Sequence, residues 1–245
     1  MFFFFHLFTG IVLGLLIGDL LHDRRWVIPL VIGAVLPDLI DKPIGYLIFA
    51  DVFGNGRIFM HGLLVFCAFF IIGFIIWKRW VNPAMLAFAL GILSHQVLDR
   101  MWEDPTTWYF PLLGPFRYSH GGDYAFVLLQ SDFSVGSEWI LAIAIVIAII
   151  IYLASKRYGN IILRYRNIWM KLLETGAFVF CLLAGIAIGS GLSPVKGLLL
   201  SPFRFLNWTD PADCIIGGIV FALCAYVLWN LRSGLMKNEK ILSVK

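Results

Sequence analysis

Charged residues are scarce in this sequence: Asp, Glu, Lys and Arg make up 14% of its 245 residues, whereas hydrophobic residues make up 60%. A soluble domain is roughly 25% charged and about 45–50% apolar. The mean hydropathy of +0.88 points the same way. The composition therefore excludes an ordinary soluble domain and predicts an all-α, polytopic transmembrane helical bundle.

Cysteine is also rare, and no C-x-x-C pair occurs. The four cysteines lie separately inside apolar runs, at Cys67, Cys181, Cys214 and Cys224. We expect them to pack as small apolar side chains rather than to form disulfides or bind metal. Residues 1–5 lack the basic start of a cleavable signal peptide, so the first hydrophobic segment is expected to stay.

Seven apolar segments predict about seven membrane spans. We expect them at residues 2–20, 26–40, 58–77, 83–99, 138–153, 176–192 and 214–229. The second is shorter than the roughly 20 residues that a full crossing needs. If this second segment does not cross the membrane, the loops that follow it would lie on the opposite sides of the membrane.

Lys and Arg fall unevenly between these segments, with 13 on one side of the predicted membrane and 6 on the other. The positive-inside rule then places the N-terminus outside and the C-terminus in the cytoplasm of a plasma-membrane protein. The basic segment 156–171, interleaved with Tyr and Trp, suits anionic lipid headgroups. We therefore predict membrane lipids as partners and no nucleic acid.

His95 and Asp99 close the fourth apolar segment and are four residues apart, so their side chains share one helical face. Ionisable groups are costly among lipid and are usually functional there. A hydrogen-bonded His–Asp pair without a metal is the alternative. On the predicted topology, further potential ligands lie at the same outer membrane face, namely His6, Asp38, Asp41 and His61.

Imidazole and carboxylate groups without a nearby thiolate suit Zn²⁺, Mn²⁺ or Fe²⁺. Two His and two Asp would complete one ligand set: Asp38, His61, His95 and Asp99. His6 with a shared carboxylate could hold a second ion. We therefore predict a divalent metal cofactor, zinc in the first place, with one or two ions.

Several stretches carry a resemblance to a known family. They are His6, Gly33-Ala34-Val35-Leu36-Pro37-Asp38, Asn55-Gly56-Arg57-Ile58-Phe59-Met60-His61, His95-x-x-x-Asp99-Arg100-Met101-Trp102, and Tyr109-Phe110-Pro111-Leu112. Residues 1–118 resemble the membrane-bound metal-dependent hydrolases, also described as LexA-binding, inner-membrane-associated hydrolases. The segment Leu-Pro-Asp-Leu-Ile-Asp-Lys-Pro, residues 36–43, looks most like the corresponding segment of archaeal members.

That family is similar in ligand order to the zinc-dependent phospholipases C. The resemblance implies that His6 approaches a second zinc that shares Asp99 with the first. The chain also departs from the pattern: Asp41 is one residue later than in Pro-Asp-x-Asp, and Gly62 stands where Thr is common. A later His-x-x-x-Glu is missing, so a three-metal site is not expected.

The chain is expected to divide into three regions. Residues 1–118 would form a hydrolase-like membrane core, and residues 119–137 an extracytoplasmic loop. Residues 138–245 would add three spans with a basic cytoplasmic segment and tail.

The predicted function is metal-dependent hydrolysis of a phosphoester, lipid or lipid-linked, at the outer membrane face. Asp38 or Asp41 would accept the proton of the attacking water. An anionic substrate would be bound by Arg57, Arg100 and Lys42. Two alternatives stay open: a metal or proton transporter, and a metal-stabilised membrane scaffold without turnover.

Overall fold

The computed structural model describes residues 3–118, 166–192 and 211–242. Every regular element in those ranges is helical. The α-helices are α1 (Phe3–Leu20), α2 (Val27–Pro43), α3 (Leu63–Trp80), α4 (Ala84–Leu98), the short α5 (Pro105–Trp108), α6 (Arg166–Leu192) and α7 (Pro211–Leu242). The chain divides into two compact units, Met1–Trp139 and Ile140–Lys245.

Four of these helices are long and apolar enough to cross a membrane. They cover Phe3–Leu20, Leu63–Trp80, Asn167–Leu192 and Pro211–Ser233. With 17 residues in α2 and 15 in α4, these two helices are shorter than the roughly 20 residues of a full crossing. The prediction of a helical membrane protein is confirmed, whereas seven spans and the orientation stay predictions.

The predicted span at residues 138–153 lies outside the described part of the chain, as does the extracytoplasmic loop at residues 119–137.

In the first unit, α2 packs against both α1 and α4, and α3 packs against α4. The contact between α2 and α4 depends on glycine. A β-carbon added at Gly33 would lie 2.1 Å from the carbonyl oxygen of Phe88, and one at Gly91 would lie 2.2 Å from that of Leu30. Because neither glycine has a side chain, the two backbones approach closely.

A polar turn joins α1 to α2 at the opposite end from the site described below. Asp23 caps a short 3-10 helix, Arg24–Trp26, and accepts a hydrogen bond of 3.0 Å from the backbone N–H of Arg25. The Arg25 side chain also donates to this carboxylate, which lowers the pKa of Asp23. Trp26 is buried against Leu30 on α2.

The connection from α2 to α3 is mostly irregular. The helix passes into a single π-helical turn, Ile44–Ile48, and α3 begins only at Leu63. The sequence prediction started this span at residue 58, with His61 in its first turn. His61 instead lies in the irregular backbone two residues before α3, so its position depends on side chains that hold the loop.

In the second unit, α6 and α7 pack along each other. A β-carbon added at Gly218 would lie 3.1 Å from the carbonyl oxygen of Ala184, so the two helices are close at this point. An ion pair of 3.2 Å joins Arg232 to Glu174. The predicted basic segment 156–171 overlaps this unit, because residues 166–171 form the first turns of α6.

Candidate metal centre

Four polar side chains from three parts of the first unit meet in its interior. Asp38 comes from the C-terminal part of α2, and His61 from the loop before α3. His95 is in the last turn of α4, and Asp99 is the residue that caps this helix. All four are buried, the most exposed being Asp99 at 8%.

The ligand atoms of these residues all lie within 4.8 Å of one another. Nε2 of His61 is 3.1 Å from Nε2 of His95. Oδ1 of Asp38 lies 3.7 Å from Nε2 of His61 and 3.8 Å from Nε2 of His95. Oδ2 of Asp99 lies 3.6 Å and 3.9 Å from the same two nitrogens. Around zinc, two imidazole nitrogens in tetrahedral positions are about 3.3 Å apart, so this group could hold a metal ion.

The outer nitrogen of each imidazole is held by an acceptor. Nδ1 of His61 is 2.7 Å from Oδ2 of Asp41, and Nδ1 of His95 is 2.8 Å from the carbonyl oxygen of Ala34. A carbonyl oxygen only accepts, so Nδ1 of His95 carries the proton. Metal-binding histidines usually have this kind of outer partner, which directs the other nitrogen to the ion.

Asp41 itself serves as an acceptor for the loop that carries His61. Its Oδ2 accepts from the backbone N–H groups of Ile58 and His61 at 3.0 and 3.2 Å. Its Oδ1 accepts from the N–H of Met60 at 3.1 Å. With the imidazole of His61, four donors converge on one fully buried carboxylate. Asp41 is a proton-transfer candidate by sequence, whereas in the structure it lies behind His61.

Gln96, which is not among the site residues predicted from the sequence, holds the same loop from the other side. Its side-chain N–H groups donate to the carbonyl oxygens of Gly62 and Met60 at 3.0 and 3.4 Å. Its oxygen accepts from Nε1 of Trp108 at 3.1 Å. An amide inside the apolar run of α4 was the available signal. Asp41 and Gln96 thus satisfy several backbone groups of the irregular loop around His61.

Two of the three predicted substrate-binding cations contact the cluster. Lys42 Nζ is 3.1 Å from Oδ2 of Asp38, and Nε of Arg57 is 3.0 Å from Oδ2 of Asp99. The Arg57 side chain is 42% exposed. Arg100 instead pairs with Glu103, three residues further along the chain.

His6 lies beside the four-residue group. Its ring stacks on that of His95, with 3.9 Å between the ring centroids. Nε2 of His6 is 3.2 Å from Oδ1 of Asp99, the oxygen that does not face the two other histidines. Nδ1 of this fully buried ring has no hydrogen-bond partner among the described residues. His6 is therefore adjacent to the candidate centre through Asp99.

The charges of the cluster favour a cation. Asp38, Asp41 and Asp99 are three buried carboxylates. Among the described residues, Lys42 contacts Asp38 and Arg57 contacts Asp99. Buried carboxylates are stable when paired or when they coordinate a metal. The residues present thus fit a divalent ion with nitrogen and oxygen ligands, and they do not distinguish zinc from manganese or iron.

Residues 1–187 match the family model described as YdjM inner membrane protein. This range includes every residue of the candidate centre. The description names a membrane protein and no reaction, so the membrane part of the resemblance is confirmed, whereas its hydrolase and LexA-binding parts stay predictions. No curated protein and no solved structure matches the chain.

Proposed function

Since this chain belongs to the YdjM inner membrane protein family and carries a buried Asp–His–His–Asp group, we propose that it is a membrane-bound metal-dependent hydrolase. Its substrate is a phosphoester, lipid or lipid-linked. The main support is the geometry of His61 and His95: their Nε2 atoms are 3.1 Å apart, and the Nδ1 atom of each ring faces an acceptor.

Asp38, His61, His95 and Asp99 would hold the ion. A divalent ion held there would supply Lewis-acid chemistry and would activate a water molecule for attack. His6 and Oδ1 of Asp99 would hold a second ion, since the two carboxylate oxygens of Asp99 face different histidines.

The protein groups divide the remaining tasks. Asp41 already accepts from four donors, three at Oδ2 and one at Oδ1, so we assign proton acceptance to Asp38. Asp38 presents Oδ1 to the histidines, while its Oδ2 is next to Lys42. Asp41 holds His61 in one tautomer and orientation.

Arg57 is the residue we assign to the substrate anion. It approaches the centre through Nε only, and its guanidinium has further donors with no partner among the described residues. A guanidinium can bind two phosphate oxygens at once, which fixes the orientation of the ester. Arg100 is assigned no such role because it pairs with Glu103.

Elemental analysis of the purified protein, together with phosphoester hydrolysis, tests the proposal. We expect at least one divalent ion per chain and turnover that a chelator abolishes. Asp99→Asn keeps the shape of the side chain and removes its charge, so ion content and rate should both fall about 100-fold or more. Asp19→Asn, in the exposed turn at the other end of α1, is the matched control and should leave both unchanged.

The three function classes give different results in this assay. Ion content with turnover supports the hydrolase. Ion content without turnover, but with ion movement into vesicles, indicates a transporter. An ion without either activity indicates a scaffold, and full ion content in Asp99→Asn would show that the centre is not built from these residues.

A further inference from the structure

An apolar surface lies beside the candidate centre, outside the long helices. It begins with five phenylalanines that pack together, here called the phenylalanine cluster: Phe49, Phe53, Phe59, Phe110 and Phe116. The ring centroids of Phe110 and Phe116 are 4.1 Å apart, and those of Phe59 and Phe116 are 5.2 Å apart. The cluster therefore joins the loop before α3 to the segment after α5.

Large apolar side chains close to the cluster in sequence are exposed. This apolar rim consists of Leu47, Ile48, Val52, Leu112 and Leu113. Leu112 is 84% exposed, and Ile48 is 65% exposed. Exposed apolar side chains grouped on two segments that meet mark an interaction site on a protein.

The segments that form this surface are almost free of charge. Residues 43–50 and 105–116 contain no Asp, Glu, Lys or Arg, and Asp51 is the charged residue between Phe49 and Phe53. Cations lie at the border instead, with Arg57 before Phe59 and the exposed Arg117 after Phe116. Apolar side chains bordered by cations match the boundary between acyl chains and lipid phosphates.

The surface is continuous with a helix that is long and apolar enough to cross the membrane. Phe59 is exposed, while its neighbours Ile58 and Met60 are buried in the loop that ends at α3. Leu64, in the first turn of α3, is exposed on the outside of that helix. Lipid that covers α3 would therefore extend over the phenylalanine cluster.

We propose that the phenylalanine cluster and its apolar rim insert into the acyl-chain boundary of the bilayer, so that the candidate centre is reached from the lipid. The occupant of the surface is the acyl region of membrane lipid. Access to the centre from the lipid is supported by the position of Phe59, which is two residues from both Arg57 and His61. A substrate held by its chains at the cluster would present its phosphate to Arg57.

The consequence for the substrate rests on the proposed function, whereas the insertion of the surface does not. The site would select esters that carry a membrane-embedded chain over water-soluble esters with the same headgroup. A soluble ester gains nothing from the apolar surface, since it buries no chain there.

Insertion is measured with a fluorophore in the full-length protein in liposomes. The four native cysteines are first replaced by Ala, and an environment-sensitive label is attached at Leu112→Cys. The control label is placed at Arg24→Cys, in the exposed polar turn at the other end of α1 and α2. Nitroxide groups on the lipid acyl chains should quench the Leu112 label, and aqueous iodide should quench the Arg24 label.

Two outcomes overturn the insertion. Iodide quenching at Leu112 equal to that at Arg24 would place the surface in water. Protection of the Leu112 label from both quenchers would mean that protein, rather than lipid, covers it.

The lipid route is tested with two substrates that share one headgroup, one lipid-anchored in vesicles and one water-soluble. The double variant Leu112→Glu/Leu113→Glu should lower kcat/KM for the lipid ester about tenfold or more, since two apolar side chains no longer insert. Its rate on the soluble ester should not change. The control Leu20→Glu/Leu21→Glu places the same charges on exposed leucines at the far end of α1 and should leave the ratio of the two rates unchanged.

Equal losses on both esters, or no loss on either, would overturn the lipid route. Absence of hydrolysis of both esters by the wild-type protein would refute the proposed function instead. The label experiment still decides the insertion in that case.

Discussion

Replacement of Asp41 by Asn tests how the loop that carries His61 is held. The carboxylate accepts hydrogen bonds from three backbone N–H groups and from the His61 imidazole, and it is fully buried. An amide offers one oxygen where the carboxylate has two. Placed at the Oδ2 position, that oxygen keeps three of the donors, while the NH₂ group then faces the N–H of Met60.

The expected cost follows from these contacts. One buried N–H is left without an acceptor, which costs about 1–3 kcal/mol. The three remaining hydrogen bonds lose the strengthening that a charged acceptor gives. We expect Asp41→Asn to lower the free energy of unfolding by about 2–4 kcal/mol. Asp41→Ala would strand all four donors and approach the roughly 5–15 kcal/mol total stability of a domain, so Asn is the informative replacement.

The effect on the ion should be separable from the effect on folding. A neutral partner makes the His61 imidazole a weaker ligand, and loss of an outer partner typically lowers metal affinity about 10–100-fold. Chelator competition measures this affinity, and denaturant unfolding in detergent micelles measures the stability. The matched control is Asp51→Asn, an exposed carboxylate in the same connection between α2 and α3.

A free energy of unfolding for Asp41→Asn within about 0.5 kcal/mol of the wild type, the range of an ordinary surface substitution, together with equal ion affinity, would contradict this role of Asp41. A loss of ion affinity without a loss of stability would show that Asp41 orients the His61 imidazole but does not stabilise the loop.

Three further substitutions test the packing of α2 against α4, the support of the loop by Gln96, and the membership of the ligand set. Gly91→Ala should destabilise the first unit by about 1–3 kcal/mol in thermal unfolding, because the new β-carbon meets the backbone of α2. Gly185→Ala is the control: its β-carbon meets nothing within 4 Å, so the change should be neutral or slightly stabilising. Equal effects of the two substitutions would contradict this. Gln96→Leu should lower the free energy of unfolding by about 2–4 kcal/mol and weaken ion binding, because two carbonyls and one indole N–H lose their partner. Trp108→Phe removes only the indole N–H and should leave ion affinity unchanged, so an equal loss of affinity would argue against Gln96 as the support of the loop. His6→Ala should retain one ion per chain in elemental analysis, because the four-residue group contains no atom of His6; complete loss would place His6 in the first ligand set.

Local sequence was enough to identify the chemical class of the candidate centre. Scarce charge predicted membrane helices, and any ionisable side chain inside such helices then needed a reason. The four-residue spacing of His95 and Asp99 predicted one shared helical face, and both lie in the cluster. The predicted helix over residues 83–99 agrees with α4 to within one residue at each end, because its apolar run is bounded by Pro83 and Asp99.

The loop around His61 was predicted less well. The apolar composition after Ile58 favoured a helix that began there, but α3 begins at Leu63. In residues 58–62, three backbone N–H groups donate to Asp41, and two carbonyl oxygens accept from Gln96. Those partners come from α2 and α4, far away in sequence, so no local pattern contains them.

Residue type and spacing along one helix are enough to establish that this protein is helical and apolar, and which side chains are available as ligands. How these groups are used depends on contacts between residues that are far apart in the sequence. Asp38 and Asp41 are three residues apart on the same helix, yet one faces the histidine nitrogens and the other holds the loop behind them. That difference arises because Gly33 and Gly91 bring α2 against α4 in one register, which places Asp38 opposite His95 and leaves Asp41 to meet the backbone of residues 58–61.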